Sequence, residues 1–148
     1  MSRAATKLDQ EALASEVNFT ANLEDNSNFN AAITTLKSST TPNRGEVWVV
    51  VATEWKNGLP RTFTITFSKD IKEETDGVIT DNDEHVSLIY NNYADPNSPT
   101  LQKARRGSIQ YTMGADMRFT GSFTAYIDKA QGNDSYLCTG LFDTELSW

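Results

Sequence analysis

The sequence predicts an all-β domain: a single antiparallel β-sandwich or β-barrel of about seven to nine short strands. Three observations carry that expectation. Apolar and polar side chains alternate over short stretches, most regularly in "MRFTGSFTAYI" (117–127), as in a strand with one buried and one wet face. Gly, Asn, Asp or Pro separates these stretches, and little of the chain carries a helical period.

The elements follow in order. Residues 1–16, polar and alanine-rich, read as a flexible N-terminal segment, a tail or frayed helix, and residues 17–148 as the all-β domain. "VNFTANL" places Val17, Phe19, Ala21 and Leu23 on one face, and "EDNSN" follows as a turn. "FNAAITTLKSS" fits a helix through Phe29, Ala32, Ile33 and Leu36 or a strand through Phe29, Ala31 and Ile33; its β-branched residues favour strand. "EVWVVVATEW" is apolar on both parities and reads as a central strand covered on both sides. Asn57-Gly58 then turns the chain into "RTFTITF", where Phe63, Ile65 and Phe67 alternate with threonines, the clearest hairpin of the sequence. "HVSLIYNNY" and "GSIQYTM" give two more strands. In the 117–127 stretch, Met117, Phe119, Phe123, Ala125 and Ile127 share a face with Gly121 at its centre. "DSYLCTGLFDTELSW" is the last strand, with Gly140 read as a bulge and Cys138 as core beside Tyr136 and Phe142.

Composition narrows the function classes. A net charge of −7 and a pI near 4.6 oppose nucleic acid as a partner, because phosphate binding wants a basic surface. No apolar run approaches the roughly 20 residues that span a bilayer as a helix, so no transmembrane segment is expected. The first residues lack the apolar stretch of a signal peptide, so an exported form would carry a leader not included here. Cys138, alone, makes no internal disulfide and leaves the compartment open.

Catalytic groups are scarce. His85 is the single histidine, which excludes every constellation that needs two. A Cys138–His85 thiol pair competes with plain burial of the cysteine, and no nucleophile elbow, Walker loop or dinucleotide fingerprint occurs. The chain is therefore read as a non-enzyme. "KEETDGVITDNDEH" gathers acids in one connection; it reads first as a solvated turn-forming loop, and as calcium chemistry if any metal is held, with Asp76, Asp81, Asp83 and Glu84 as ligands. "NNYADPNSP" reads as a long loop in which Asn91, Asn92 and Tyr93, with Trp55 beside the hairpin turn, offer amides and aromatic faces to a ligand such as a sugar. "KARRGS" reads as a local basic turn, and the threonine face of "RTFTITF" as ordinary strand composition.

Gly107-Ser108-Ile109, Gly121-Ser122-Phe123 and Gly140-Leu141-Phe142 give a Gly-Ser-hydrophobic strand, a Gly-x-Phe strand and a final Gly-x-Phe. In that order over residues 17–146, the chain resembles small all-β domains of unknown function from bacterial secreted or lipid-anchored proteins. The resemblance implies an extracytoplasmic setting: periplasm, cell surface or secreted. The expectation is a non-enzymatic binding or interaction domain of that envelope type, for a protein, small-molecule or glycan ligand. Its alternatives are a β-barrel carrier of a small apolar ligand and a carbohydrate-binding module that uses its loops. A homo-oligomer formed through an edge strand is a further expected association.

Overall fold

The computed structural model describes residues 18–42, 45–69, 76–81, 86–94 and 100–148. Ten strands form: β1 (Phe19–Asn22), β2 (Asn28–Asn30), β3 (Ile33–Thr41), β4 (Gly45–Lys56), β5 (Leu59–Ser68), β6 (Asp76–Thr80), β7 (Ser87–Asn92), β8 (Thr100–Met113), β9 (Arg118–Asp128) and β10 (Ser135–Glu145). Pairing is antiparallel throughout the sheet, in the order β2-β1-β10-β9-β8-β7-β5-β4-β3, with β6 beside β8. The sheet curls into a half-barrel, so the predicted all-β class is the one found.

The curl gives the sheet two facing halves. β8 belongs to both: residues 100–103 pair with β7, and beyond a register shift between Ala104 and Arg106 the strand pairs with β9 and β6. Such a shift lets one strand turn the corner between two packed layers. At the far side the edges approach each other. Ala32 N donates to Thr53 O, Asn30 N to a Glu54 carboxylate oxygen, and Ser147 bridges Thr35 on β3.

Aromatic rings fill the space between the halves. From the half containing β5, Phe63 meets Phe123 of β9 at 6.0 Å between ring centroids, and Phe67 meets Phe119 at 6.3 Å. Phe19, Phe29, Tyr90, Tyr111 and Phe142 complete the cluster. Each comes from the inward parity of its strand, so the alternation in "RTFTITF" and "MRFTGSFTAYI" is the direct source of the core. The hairpin turn also forms as expected: Asn57 and Gly58 take φ of 55° and 79° between the paired Lys56 and Leu59, the left-handed pair that a two-residue hairpin needs.

Six expectations need correction. The ambiguous "FNAAITTLKSS" is neither one helix nor one strand: β2 and β3 are separated at Ala31–Ala32, after which parity reverses, so Thr34 and Leu36 are buried and Ile33 is exposed. β4 is the second strand from the edge rather than central, with Val49 and Val51 half-buried on its outer side. "KARRGS" is no turn but the middle of β8. The acidic connection contains β6, and Asn91 and Asn92 end β7 rather than opening a loop. Gly140 marks no bulge, for β9 and β10 pair without a shift across it. Its missing side chain makes room for Phe123, whose ring would lie 2.0 Å from an added Cβ. The N-terminal segment, residues 1–16, lies outside the described residues.

Candidate functional site

Alternation along β4, β5 and β7 sorts the predicted ligand residues between two faces. Trp55 is registered against Pro60 on β5, and Tyr93 N donates to Pro60 O at 3.0 Å. The three form one outward row, with Trp55 58% and Tyr93 47% exposed and two strand spacings, roughly 10 Å, between the outer members. The next outward row runs Ile33, Thr53, Thr62, Asn91, Leu101. Leu101 (67% exposed) and Ile33 are large apolar groups in water. Beyond them lie Val51 and Ile89, half-buried and flanked by Lys103. Trp55 and Tyr93, 38 positions apart in the chain, are thus brought into one row of a face on which threonines, Asn91 and Lys103 alternate with apolar groups.

Of the two amides only Asn91 shares this face, and among the described residues its buried Oδ1 has no hydrogen-bond partner. Asn92, one residue on, faces inward; its Oδ1 accepts from Ala94 N at 2.9 Å, and it lines a cleft of about 140 Å³ at this end of the half-barrel. Sugar recognition at Tyr93 would need these two amides beside the ring, and a period of two separates them.

The cleft itself is a polar cap. Arg61, 8% exposed, takes the inward parity of Phe63, Ile65 and Phe67, and its guanidinium grips Glu54 through Nε and Nη2. Gln102 Nε2 donates to Glu24 Oε1 (3.1 Å) and Asp128 O (2.8 Å), and Ala130 N donates to the same Glu24 oxygen (3.0 Å). Hydrogen bonds from Ser27 hold the Asp25 carboxyl below its ordinary range. Burial pushes the Tyr90 phenol up to about 12 and raises Tyr136 as well, so both are neutral at physiological pH. Arg61 with Glu54 and Gln102 with Glu24 are spent on one another, whereas among the described residues the buried Tyr136 hydroxyl, which also lines the cleft, has no hydrogen-bond partner. Arg61 and Gln102 went unnoticed in the sequence; their signal was a charged or amide side chain on an otherwise apolar parity.

The acidic residues are dispersed. Asp76 begins β6 and Asp81 follows its end, five residues or roughly 16 Å apart along an extended strand. Asp81 Oδ2 accepts from Arg105 Nη1 at 3.0 Å, while Asp128 holds the other edge of that guanidinium through both oxygens. Lys103 Nζ donates to the Asp81 carbonyl at 3.1 Å. The Asp76 side chain, Asp83, Glu84 and His85 lie outside the described residues. Among the described residues no group of three or more His, Cys, Asp or Glu side chains could hold a metal ion. Cys138 is fully buried, its Sγ donates to Asn22 O at 3.2 Å, and burial pushes its thiol up to about 12. A protonated, inaccessible thiol is a poor nucleophile.

No helix among the described residues is long and apolar enough to cross a membrane. Comparison with protein-family models, curated proteins and solved structures finds no match to this chain.

Proposed function

We propose that this chain is a non-enzymatic interaction domain whose docking surface is the outer face of β3, β4, β5, β7 and the start of β8, and whose partner is a protein presenting an apolar or aromatic epitope. One observation carries the reading: Trp55, Tyr93, Leu101 and Ile33 come from four separate strands or their ends and all stand exposed on that one face, two aromatic groups in one row and two aliphatic groups at the ends of the next, with Thr53, Thr62 and Asn91 between them. Contiguous exposed apolar surface costs solubility and is kept where something covers it. Trp and Tyr are also the side chains that most often anchor interfaces.

The filled interior favours this reading over a carrier, because the inward aromatic residues pack against one another where a ligand would sit. The inward turn of Asn92 disfavours sugar recognition at Tyr93. The buried thiol and mutually engaged cleft residues support a non-catalytic role. The setting we propose is extracytoplasmic, on the glycine-led strand resemblance alone.

Site-specific photo-crosslinking tests the proposal. A crosslinking residue at Leu101, in protein expressed in its own host, should give a discrete adduct that Trp55→Ala with Tyr93→Ala abolishes. The same probe at Leu137 on the opposite face should not give that adduct. Equal labelling from both positions would remove the proposal.

A further inference from the structure

The opposite outer face, formed by β8, β9, β10, β1 and β2, carries hydroxyls and amides in two nearly unbroken rows, where the docking face interrupts its threonines and Asn91 with Ile33, Val51, Ile89 and Leu101. Two cross-strand rows run along it. One is Ser108, Thr124, Thr139, Asn22, Asn28; the other is Gln110, Ser122, Leu141, Thr20, Asn30. Of these ten positions nine are hydroxyls or amides, one is leucine and none is charged. The chain as a whole carries 13 basic and 20 acidic residues, and wet strand faces ordinarily take their share.

Charge returns at the borders. Arg106 lies over the Tyr126 ring on one side of the band (4.3 Å), and the Arg118–Asp143 pair (2.7 Å) closes the other. Along β6 the band meets exposed Val78 and the register position of Asp76. Between those limits it spans five strands, about 19 Å at the usual strand spacing. Two shallow grooves of about 390 and 320 Å³ cover it, the first over the β8 and β9 positions and the second over those of β10, β1 and β2. They adjoin at the paired Thr124 and Thr139.

We propose that this band binds a neutral polysaccharide chain. Hydroxyls and amides both donate and accept hydrogen bonds, which matches a ligand covered in hydroxyls. Ionised side chains would instead have to be desolvated against an uncharged ligand. Leu141, 61% exposed in the middle of the band, supplies the apolar contact that the C–H face of a sugar ring seeks. Most of the band is preorganised on paired strands, and the Asn22 side chain is fixed by bonds to Leu137 O (2.8 Å) and Thr139 N (2.6 Å), so little conformational freedom is lost on binding. The site is independent of the docking face and of the protein partner proposed there.

Affinity electrophoresis of the full chain through gels containing laminarin, dextran, xyloglucan or soluble starch tests it, with polygalacturonate as an acidic comparison. At least one neutral glycan should retard the protein. Thr124→Glu with Thr139→Glu should weaken retention at least tenfold with an unchanged circular dichroism spectrum. Ser108→Lys, at the other end of the first groove, should also weaken it and covers the case in which the double variant does not fold. Trp55→Ala with Tyr93→Ala should leave retention intact, which separates this site from the docking face. Retardation by none of the neutral glycans, retardation by polygalacturonate alone, or retention unaltered in the band variants would overturn the proposal.

Discussion

The two outer faces belong to the same curled sheet and the same alternation, yet their large exposed side chains differ. On the face of Trp55, that residue and Tyr93 stand beside a row in which Thr53, Thr62 and Asn91 separate exposed Ile33 on β3 from exposed Leu101 on β8. Around Thr124 the wet side of β8, β9 and β10 exposes hydroxyls and amides, with Tyr126, Leu137 and Leu141 as its large apolar residues. Their inner sides are alike, lined with Phe, Ile and Val and packed into one cluster. The contrast teaches that stability is written on one parity of each strand, and the other parity is free to differ from half to half. A single core can therefore carry two surfaces that answer to different ligands.

The largest blow to that arrangement falls on the shared side. Phe123, 1% exposed, touches Phe19 and Phe63 and lies over Gly140; Phe123→Ala should cost roughly 3–5 kcal/mol. Urea denaturation measures the cost, and both faces should lose binding together. Loss at one face alone would mean that the halves hold themselves up separately.

Arg61→Ala comes next. It leaves the Glu54 carboxylate, 17% exposed, without its cation, a loss of roughly 3 kcal/mol or somewhat less, given that residual exposure. Glu54 also accepts from Asn30 N on β2, so hydrogen exchange should speed up at Asn30, where the polar half meets the apolar one. Unchanged exchange there would show that the edges are held by other bonds.

Alkaline pH acts on the core again. Cys138 rises from 9.0 to about 12 and Tyr90 from 10.0 to about 12 on burial. The unfolded chain therefore releases these protons first, and stability, complete below about pH 9, falls as pH rises from there to about 12. Urea midpoints from pH 8 to 11 should decline, and Cys138→Ala should flatten the earlier part of the decline. A flat profile for the native chain would contradict burial of both groups.

The smallest stability effect is the sharpest for the comparison. Trp55→Ala with Tyr93→Ala, both exposed, should change the free energy of unfolding in urea by no more than about 0.5 kcal/mol for each substitution and abolish crosslinking from Leu101. Destabilisation well beyond that would make the aromatic row a structural part of the sheet.

Much of the fold was legible because a period of two needs no tertiary knowledge. "RTFTITF", "MRFTGSFTAYI" and the Asn57-Gly58 turn each declare their face and geometry locally. Less was legible where a strand is polar or crosses between halves. "KARRGS" read as a turn because its charges are satisfied across strands, Arg105 by Asp81 and Asp128, and Arg106 by the Tyr126 ring. Gly140 read as a bulge because the ring that fills its place comes from the neighbouring strand. Of the candidate site, the sequence singled out Trp55 and Tyr93 as binding side chains but also enlisted Asn92, which alternation turns inward.

The sequence by itself determined the class, the Asn57-Gly58 hairpin and the inward apolar residues of β1, β5 and β9, since these depend on neighbours one or two positions away along the chain. Only the tertiary structure decided which outward residues share a surface. That depends on strand order and register: Trp55 shares a row with Tyr93 because β5 lies between β4 and β7, and Ser108 lines up with Thr124 and Thr139 because β8, β9 and β10 pair in the register they do. Register is set by the packing of the whole core rather than by any one segment.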